Sequence, residues 1–119
     1  MEIRARVKHV AMPARKVRLV VDMVRGMDVG KALTTLKFLP QAAGVPVYKL
    51  IHSAVANAEE NFGVPADDLY VARIAADEGA GVMPGKGWRR RFAGRGRSHP
   101  IRKRSCHIWV VLEERTANQ

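Results

Sequence analysis

Cysteine occurs once in this chain, at position 106. A lone thiol excludes an internal disulfide and any zinc cage built from several thiolates, and it fits a reducing compartment. No apolar run approaches the roughly 18 residues that span a bilayer. The first ten residues alternate charged and apolar side chains, so they read neither as a signal peptide nor as a transit peptide. The cytoplasm, or an organelle that makes its own proteins, is the expected location. Acidic residues are missing from the whole stretch 82–104, which leaves that stretch without a carboxylate for acid–base or metal chemistry. No internal repeat and no second domain is visible.

What is present is cationic. The 119 residues carry 21 Lys and Arg against 11 Asp and Glu, a formal net charge of +10, while 47% hydrophobic content is ample for one folded domain. Such an excess calls for a polyanionic partner, either nucleic acid or an anionic membrane surface. Residues 1–25 hold seven basic and two acidic side chains, 26–81 hold four and seven, and 82–104 hold nine and none. A solubility device would be mixed more evenly. The pattern predicts a compact body, about 1–78 and 105–119, with an extended basic arm at about 79–104.

Hydrophobic spacing supplies the coarse structure. Glu2 to Val10 alternates, with Ile3, Ala5 and Val7 on one face and Arg4, Arg6 and Lys8 on the other, as in a half-buried strand. Pro13 opens a helix carrying Val17, Val20, Val21 and Val24, and Gly26 stops it. Asp28 is placed to cap a second helix with Val29, Ala32, Leu33, Leu36 and Leu39, ended by Pro40. A third helix is predicted from about Pro46 to Asn61, and its small residues Ser53 to Ala58 permit close packing. Leu69–Ala76 and Ser105–Leu112 read as partner strands. The fold class is therefore α+β: a small three-stranded antiparallel sheet packed against three helices, with a long projecting β-hairpin. If both arms of that hairpin stay paired, about 14 residues per arm at roughly 3.3 Å each reach on the order of 40 Å. So long a Gly- and Arg-rich segment has no core of its own; it is expected to be mobile alone and to order on RNA.

The arm holds the strongest chemical signal. In Trp88-Arg89-Arg90-Arg91-Phe92-Ala93-Gly94-Arg95-Gly96-Arg97, arginine forks match phosphates and stack on bases, Trp88 and Phe92 add stacking platforms, and glycines admit close backbone approach. A merely solvated charge run seldom places a tryptophan among clustered arginines. Lys86 precedes this run, and Arg102, Lys103 and Arg104 lead from it into the last strand. Arg15 and Lys16 lie beside the start of the first helix, where anions are favoured. Arg18 is divided between phosphate contact and a helix pair with Asp22.

Catalytic readings are weak. Cys106 and His107 are adjacent on a strand, so they point to opposite faces and cannot form a thiolate–imidazolium pair. Asp67-Asp68 and Asp77-Glu78 have no further ligand at metal-site spacing, and His9, His52, His99 and His107 form no metal pattern. Asn57 reads as a structural hydrogen-bonder. No cofactor is implied.

Several stretches carry a family resemblance: Arg15-Lys16-Val17-Arg18-Leu19-Val20-Val21-Asp22-Met23-Val24-Arg25-Gly26, Ser53-Ala54-Val55-Ala56-Asn57-Ala58-Glu59, Asp77-Glu78-Gly79, Gly96-Arg97, and Ile101-Arg102-Lys103-Arg104-Ser105-Cys106-His107-Ile108. In this order, and over nearly the whole chain, they resemble the bacterial-type large-subunit ribosomal protein L twenty-two family. The resemblance implies a non-enzymatic protein that binds several domains of 23S-type ribosomal RNA and acts early in subunit assembly. It implies a globular part near the exit of the polypeptide tunnel and a hairpin lining the tunnel wall beside ribosomal protein L four. The implied partners are ribosomal RNA, neighbouring large-subunit proteins and the nascent polypeptide, with no membrane. Pro13-Ala14 departs from the family's Ser-Pro, Pro46 falls within its third helix and predicts a late start or a kink, and Ala80 to Arg95 is longer than usual and lacks the Pro-Arg-Ala triplet. The rival readings are a free-standing RNA- or DNA-binding regulator, whose cations would sit on a recognition helix, and an RNA-processing enzyme, which would need a convergent acid–base site.

Overall fold

The computed structural model describes residues 2–79, 88–93, 97–102 and 104–115, the segments 88–93 and 97–102 as backbone. Strand β1 (Glu2–Val10) is followed by α1 (Ala14–Val24), α2 (Val29–Lys37) and α3 (Gly44–Phe62), a 3-10 turn at Ala66–Asp68, and β2 (Leu69–Glu78). Then come β3 (Trp88–Ala93), β4 (Arg97–Arg102) and β5 (Cys106–Glu114). The antiparallel order β1-β5-β2 puts the last strand in the centre, and β3 with β4 forms a separate two-stranded hairpin. The α+β arrangement of three helices on a three-stranded antiparallel sheet is thus observed.

Helix α1 shows why tertiary packing outweighs propensity. Four of its eleven residues are valines, modest helix formers. Yet Val17, Val20, Val21 and Val24 are all at most 1% exposed, so burial stabilises the helix that local preference does not. Pro13 is the residue before the first turn rather than inside it, and the helix begins at Ala14. The chain leaves through Gly26 at φ 84°, a left-handed conformation open to glycine.

Two expectations for α2 and α3 are corrected. Asp28 precedes α2 but makes no side-chain capping bond. Its carboxylate instead takes the Arg115 guanidinium, Nε to Oδ1 3.1 Å, because the edge of β2 draws residue 28 into a backbone bridge with Tyr70. Helix α2 ends at Lys37, before Pro40. Helix α3 starts at Gly44, earlier than expected, with Pro46 in its first turn. There the missing N–H of proline has no intrahelical partner to lose. Its far end turns on Gly63 at φ 66°.

Sheet and helices share one core. Ala54 and Ala58 of α3 are fully buried beside Ile51, and their small side chains let α3 lie close on β1 and β5, as the Ser53–Ala58 composition predicts. Helix α1 packs on β2, and α2 packs on α3 and the start of β2. Inward go Ile3 from β1, Ile74 and Ala76 from β2, and Cys106, Ile108, Val110 and Leu112 from β5.

The outer edge of β2 is closed by the polypeptide itself. The N–H of Gly26 donates to Val71 O at 2.9 Å, and the N–H of Val71 donates to Met27 O at 2.9 Å. Further along, Arg25 Nη2 donates to Ile74 O at 2.8 Å and Arg18 Nε donates to Ala76 O at 3.0 Å. Asp22 pairs with Arg25 at 2.7 Å rather than with Arg18. Edge carbonyls left open are templates for pairing with another chain. Replacing Arg18 and Arg25 together by alanine is expected to cost about 2 kcal/mol, the worth of two partly shielded charged hydrogen bonds, and to speed amide exchange along β2. Unchanged denaturant midpoint and exchange would show that water serves these carbonyls equally well.

Candidate nucleic-acid interface

All three helices lie on one side of the sheet, so the alternate residues of β1, β5 and β2 form an open face. Register sets its rows. Arg4 and Arg73 flank Val111, Arg6 and Ala75 flank Trp109, and Asp77 faces His107. Lys8 and His9 fall in the bulge between Val7 and Val10, opposite His107. A depression of about 560 Å³ opens along these rows.

Charge on this face is divided unequally. Glu2 receives both Arg4 at 2.9 Å and Arg73 at 2.7 Å. The Arg4 hydrogen bond, with Arg73 in support, holds the Glu2 carboxyl below the usual carboxylate range. In the same row as Glu2, Tyr70 donates its hydroxyl to Glu113 at 2.8 Å and sits 4.5 Å under the Arg115 guanidinium. That hydrogen bond to Glu113 raises the Tyr70 phenol. Arg6 and Lys8 are exposed and have no acidic partner among the described residues. They are the cations left over for an anion from outside.

The root of the hairpin is tightly built. His9 adopts φ 59°, the one left-handed non-glycine residue among those described. From there its N–H donates to His107 Nδ1 at 3.1 Å, and the two rings meet edge to face at 5.1 Å. A ring that accepts at Nδ1 in its neutral form carries its proton on Nε2. Gly79 donates to Ser105 O at 3.1 Å. A β-carbon on Gly79 would lie 2.8 Å from Ser105 Oγ and 3.3 Å from His107 Nε2. This glycine therefore serves the close approach of protein to protein.

The predicted contact residues fall in three places. Arg4, Arg6 and Lys8 share the open face as expected, although Arg4 is tied to Glu2. Arg15 and Lys16 lie exposed in the first turn of α1, with no ion-pair partner among the described residues. Arg18 is exposed but anchored by its Nε to the edge of β2. In the hairpin, Trp88, Arg89, Arg90, Arg91 and Phe92 belong to β3, and Arg97 and Arg102 to β4, with Trp88 opposite Arg102 and Arg91 opposite His99. Arg104 is exposed beside the root of β5. Lys86, Arg95 and Lys103 lie outside the described residues, as does the tip whose ordering the composition predicts. Sequence reasoning missed Arg73, His107 and Trp109, whose signal is an outward position on a strand whose inward positions are all aliphatic or Cys106.

Nucleophilic chemistry is absent from this arrangement. Cys106 faces the core with no exposed surface while His107 faces outward. Burial pushes the Cys106 thiol up, outweighing the opposite pull of Arg18, which is the reverse of an activated cysteine. Among the described residues no group of His, Cys, Asp and Glu could hold a metal ion, and no helix is long and apolar enough to cross a membrane. Asn57, expected to be a structural hydrogen-bonder, is exposed on α3 with no side-chain partner among the described residues.

Comparison with known proteins agrees with this geometry. A family model described as ribosomal protein L22p/L17e matches residues 5–113. The large ribosomal subunit protein uL22 of Cutibacterium acnes is 47% identical over 112 residues, covering 94% of this chain and 70% of its own. That of Clostridium novyi is 43% identical over 117 residues, covering 97% and 99%. The large ribosomal subunit protein uL22c of Nuphar advena is 40% identical over 114 residues, covering 96% and 87%. Matched along nearly its whole length, the chain belongs to the ribosomal protein L22p/L17e family, whose members are structural ribosomal proteins and not enzymes.

Proposed function

We infer that this protein is a structural component of the large ribosomal subunit that binds 23S-type ribosomal RNA over several domains and supports early subunit assembly. The observation that carries the reading is the sorting of charge. Among the described residues Arg4, Arg25, Arg73 and Arg115 are held by carboxylates, whereas exposed cations without an ion pair sit close together at Arg6 with Lys8 on the sheet and Arg15 with Lys16 on α1, besides the scattered Lys31, Lys37 and Lys49 of α2 and α3. Unpaired surface cations gathered on particular faces are the electrostatic footprint of a phosphate backbone. In this reading the globular part docks near the exit of the polypeptide tunnel. The hairpin lines the tunnel wall, beside neighbouring ribosomal proteins and the nascent polypeptide.

Incorporation tests it. The protein is expected to co-sediment with large subunits through a high-salt wash, because in the assembled subunit base and protein packing, which salt does not screen, adds to the phosphate contacts. Replacing Arg15 and Lys16 by alanine should lower incorporation, while trimming the hairpin tip should leave docking of the body largely intact. Loss of wild-type protein from the subunits in that wash, or incorporation that depends on the tip and not on Arg15 and Lys16, would count against this assignment.

A further inference from the structure

Trp109 stands in the middle of the open face. Its neighbours on β5, Ile108 and Val110, have no exposed surface, yet Trp109 remains half-buried. An indole left in water on a sheet retains apolar area that a flat partner could cover. The ring is also held in place, because Trp109 Nε1 donates to Asp77 Oδ2 at 3.1 Å across the strand pair. On the β1 side its register partner is Arg6, unpaired among the described residues, and on the β2 side it is the small Ala75. In the rows of Trp109 and His107 the face therefore runs from cations on β1, across an aromatic centre, to a carboxylate on β2, while Arg73 one row on is held by Glu2.

That polarity selects an occupant. A phosphate is drawn to Arg6 and Lys8 and repelled from Asp77, so a backbone lying along β1 directs its bases across Trp109 toward β2. A paired duplex cannot present a base face in this way, whereas an unpaired nucleotide can. We propose that the depression takes an unpaired nucleobase of the bound RNA, stacked on the Trp109 indole, with flanking phosphates on Arg6 and Lys8. The Nε2–H of His107, set by the His9 N–H at Nδ1, lies at the same depression as a donor to a base edge or ribose hydroxyl. Asp77 is a positioning residue that fixes the indole and keeps phosphate off the β2 side. This inference rests on the RNA-binding reading above.

The chain has two tryptophans, so Trp88→Phe, which keeps a ring at position 88, leaves Trp109 as the sole tryptophan, excited beyond tyrosine absorption; its affinity for ribosomal RNA is first compared with that of the wild type. This variant is titrated with deproteinised large-subunit ribosomal RNA, with a mixed-sequence RNA duplex, and with heparin, a polyanion without bases. Ribosomal RNA is expected to quench the indole strongly, and the duplex and heparin to bind with little quenching. Adding Trp109→Ala should weaken ribosomal RNA binding about tenfold with an unchanged salt slope, within the range for loss of one stacked base. Trp109→Phe, which keeps a ring, should lose less. Equal quenching by heparin, or equal affinity of the Trp109→Ala and parent proteins, would overturn the stacking site while leaving RNA binding in place. Failure of the wild-type protein to bind ribosomal RNA at all would overturn both. Because the quenching is read on the unmutated indole, misfolding of the alanine variant does not decide the outcome.

Discussion

Between 50 and 200 mM monovalent salt, the affinity of the purified protein for large-subunit ribosomal RNA is expected to fall by about four thousandfold. The argument starts from counterion release. Each phosphate neutralised by a Lys or Arg frees condensed ions, with a slope of about 0.7 to 0.9 in log affinity against log salt per contact. Arg6, Lys8, Arg15 and Lys16 on the body have no ion-pair partner among the described residues, and nine further cations lie in residues 82–104. If about eight of these meet phosphate together, the slope is near −6, and a fourfold rise in salt gives the stated loss. Arg4, Arg73 and Arg25 should count for little, since they are already bound to carboxylates in the free protein. Replacing Arg6 and Lys8 together should flatten the slope by about two contacts' worth, whereas replacing Arg73 should hardly alter it. Filter binding at fixed magnesium over this range measures both. A slope near zero would remove the electrostatic basis of the functional reading.

Ile51→Ala is expected to destabilise the protein by about 3 kcal/mol and to lower Tm by roughly 10 °C. Ile51 has no exposed surface and lies on α3, the helix that packs on β1 and β5. Removing its three outer carbons costs their transfer from water and leaves a void, and Ala54 and Ala58 beside it are too small to fill that void. Against a total stability of roughly 5–15 kcal/mol for such a domain, the loss is large. Leu19→Ala is the control. Leu19 sits on the outer side of α1, 70% exposed, so its truncation should change stability by less than about 0.5 kcal/mol. Urea unfolding with unchanged m-value checks both, and comparable losses at the two positions would contradict the placement of the core.

Much of the body follows from local periodicity. The alternation from Glu2 to Val10 and the valine spacing of α1 read correctly because a strand or helix with one buried face imprints its own period on the sequence. Gly26 and Gly63 ended helices as glycines do, through left-handed backbone that other residues rarely adopt. The ends of α2 and α3 read less well. Asp28 was open to a cap or to a tertiary ion pair, and Pro46 could follow the start of a helix as readily as make it; neighbours distant in sequence decided both.

By itself, the sequence determined the α+β class, the basic arm, the family, and the division of charge into two blocks. These depend on composition and short-range pattern. Only the tertiary structure decided which cations remain for a partner. Arg18 and Arg25 look like their neighbours Arg15 and Lys16, yet they bond carbonyls 58 and 49 positions away. It also decided that Trp109 lies on the open side of the sheet, held by Asp77 at a separation of 32 residues. The physical reason is the same in each case. A guanidinium or an indole has no preference readable along the chain between water, phosphate and a carbonyl, and its partner is whichever group the packing of strands and helices brings within about 3 Å.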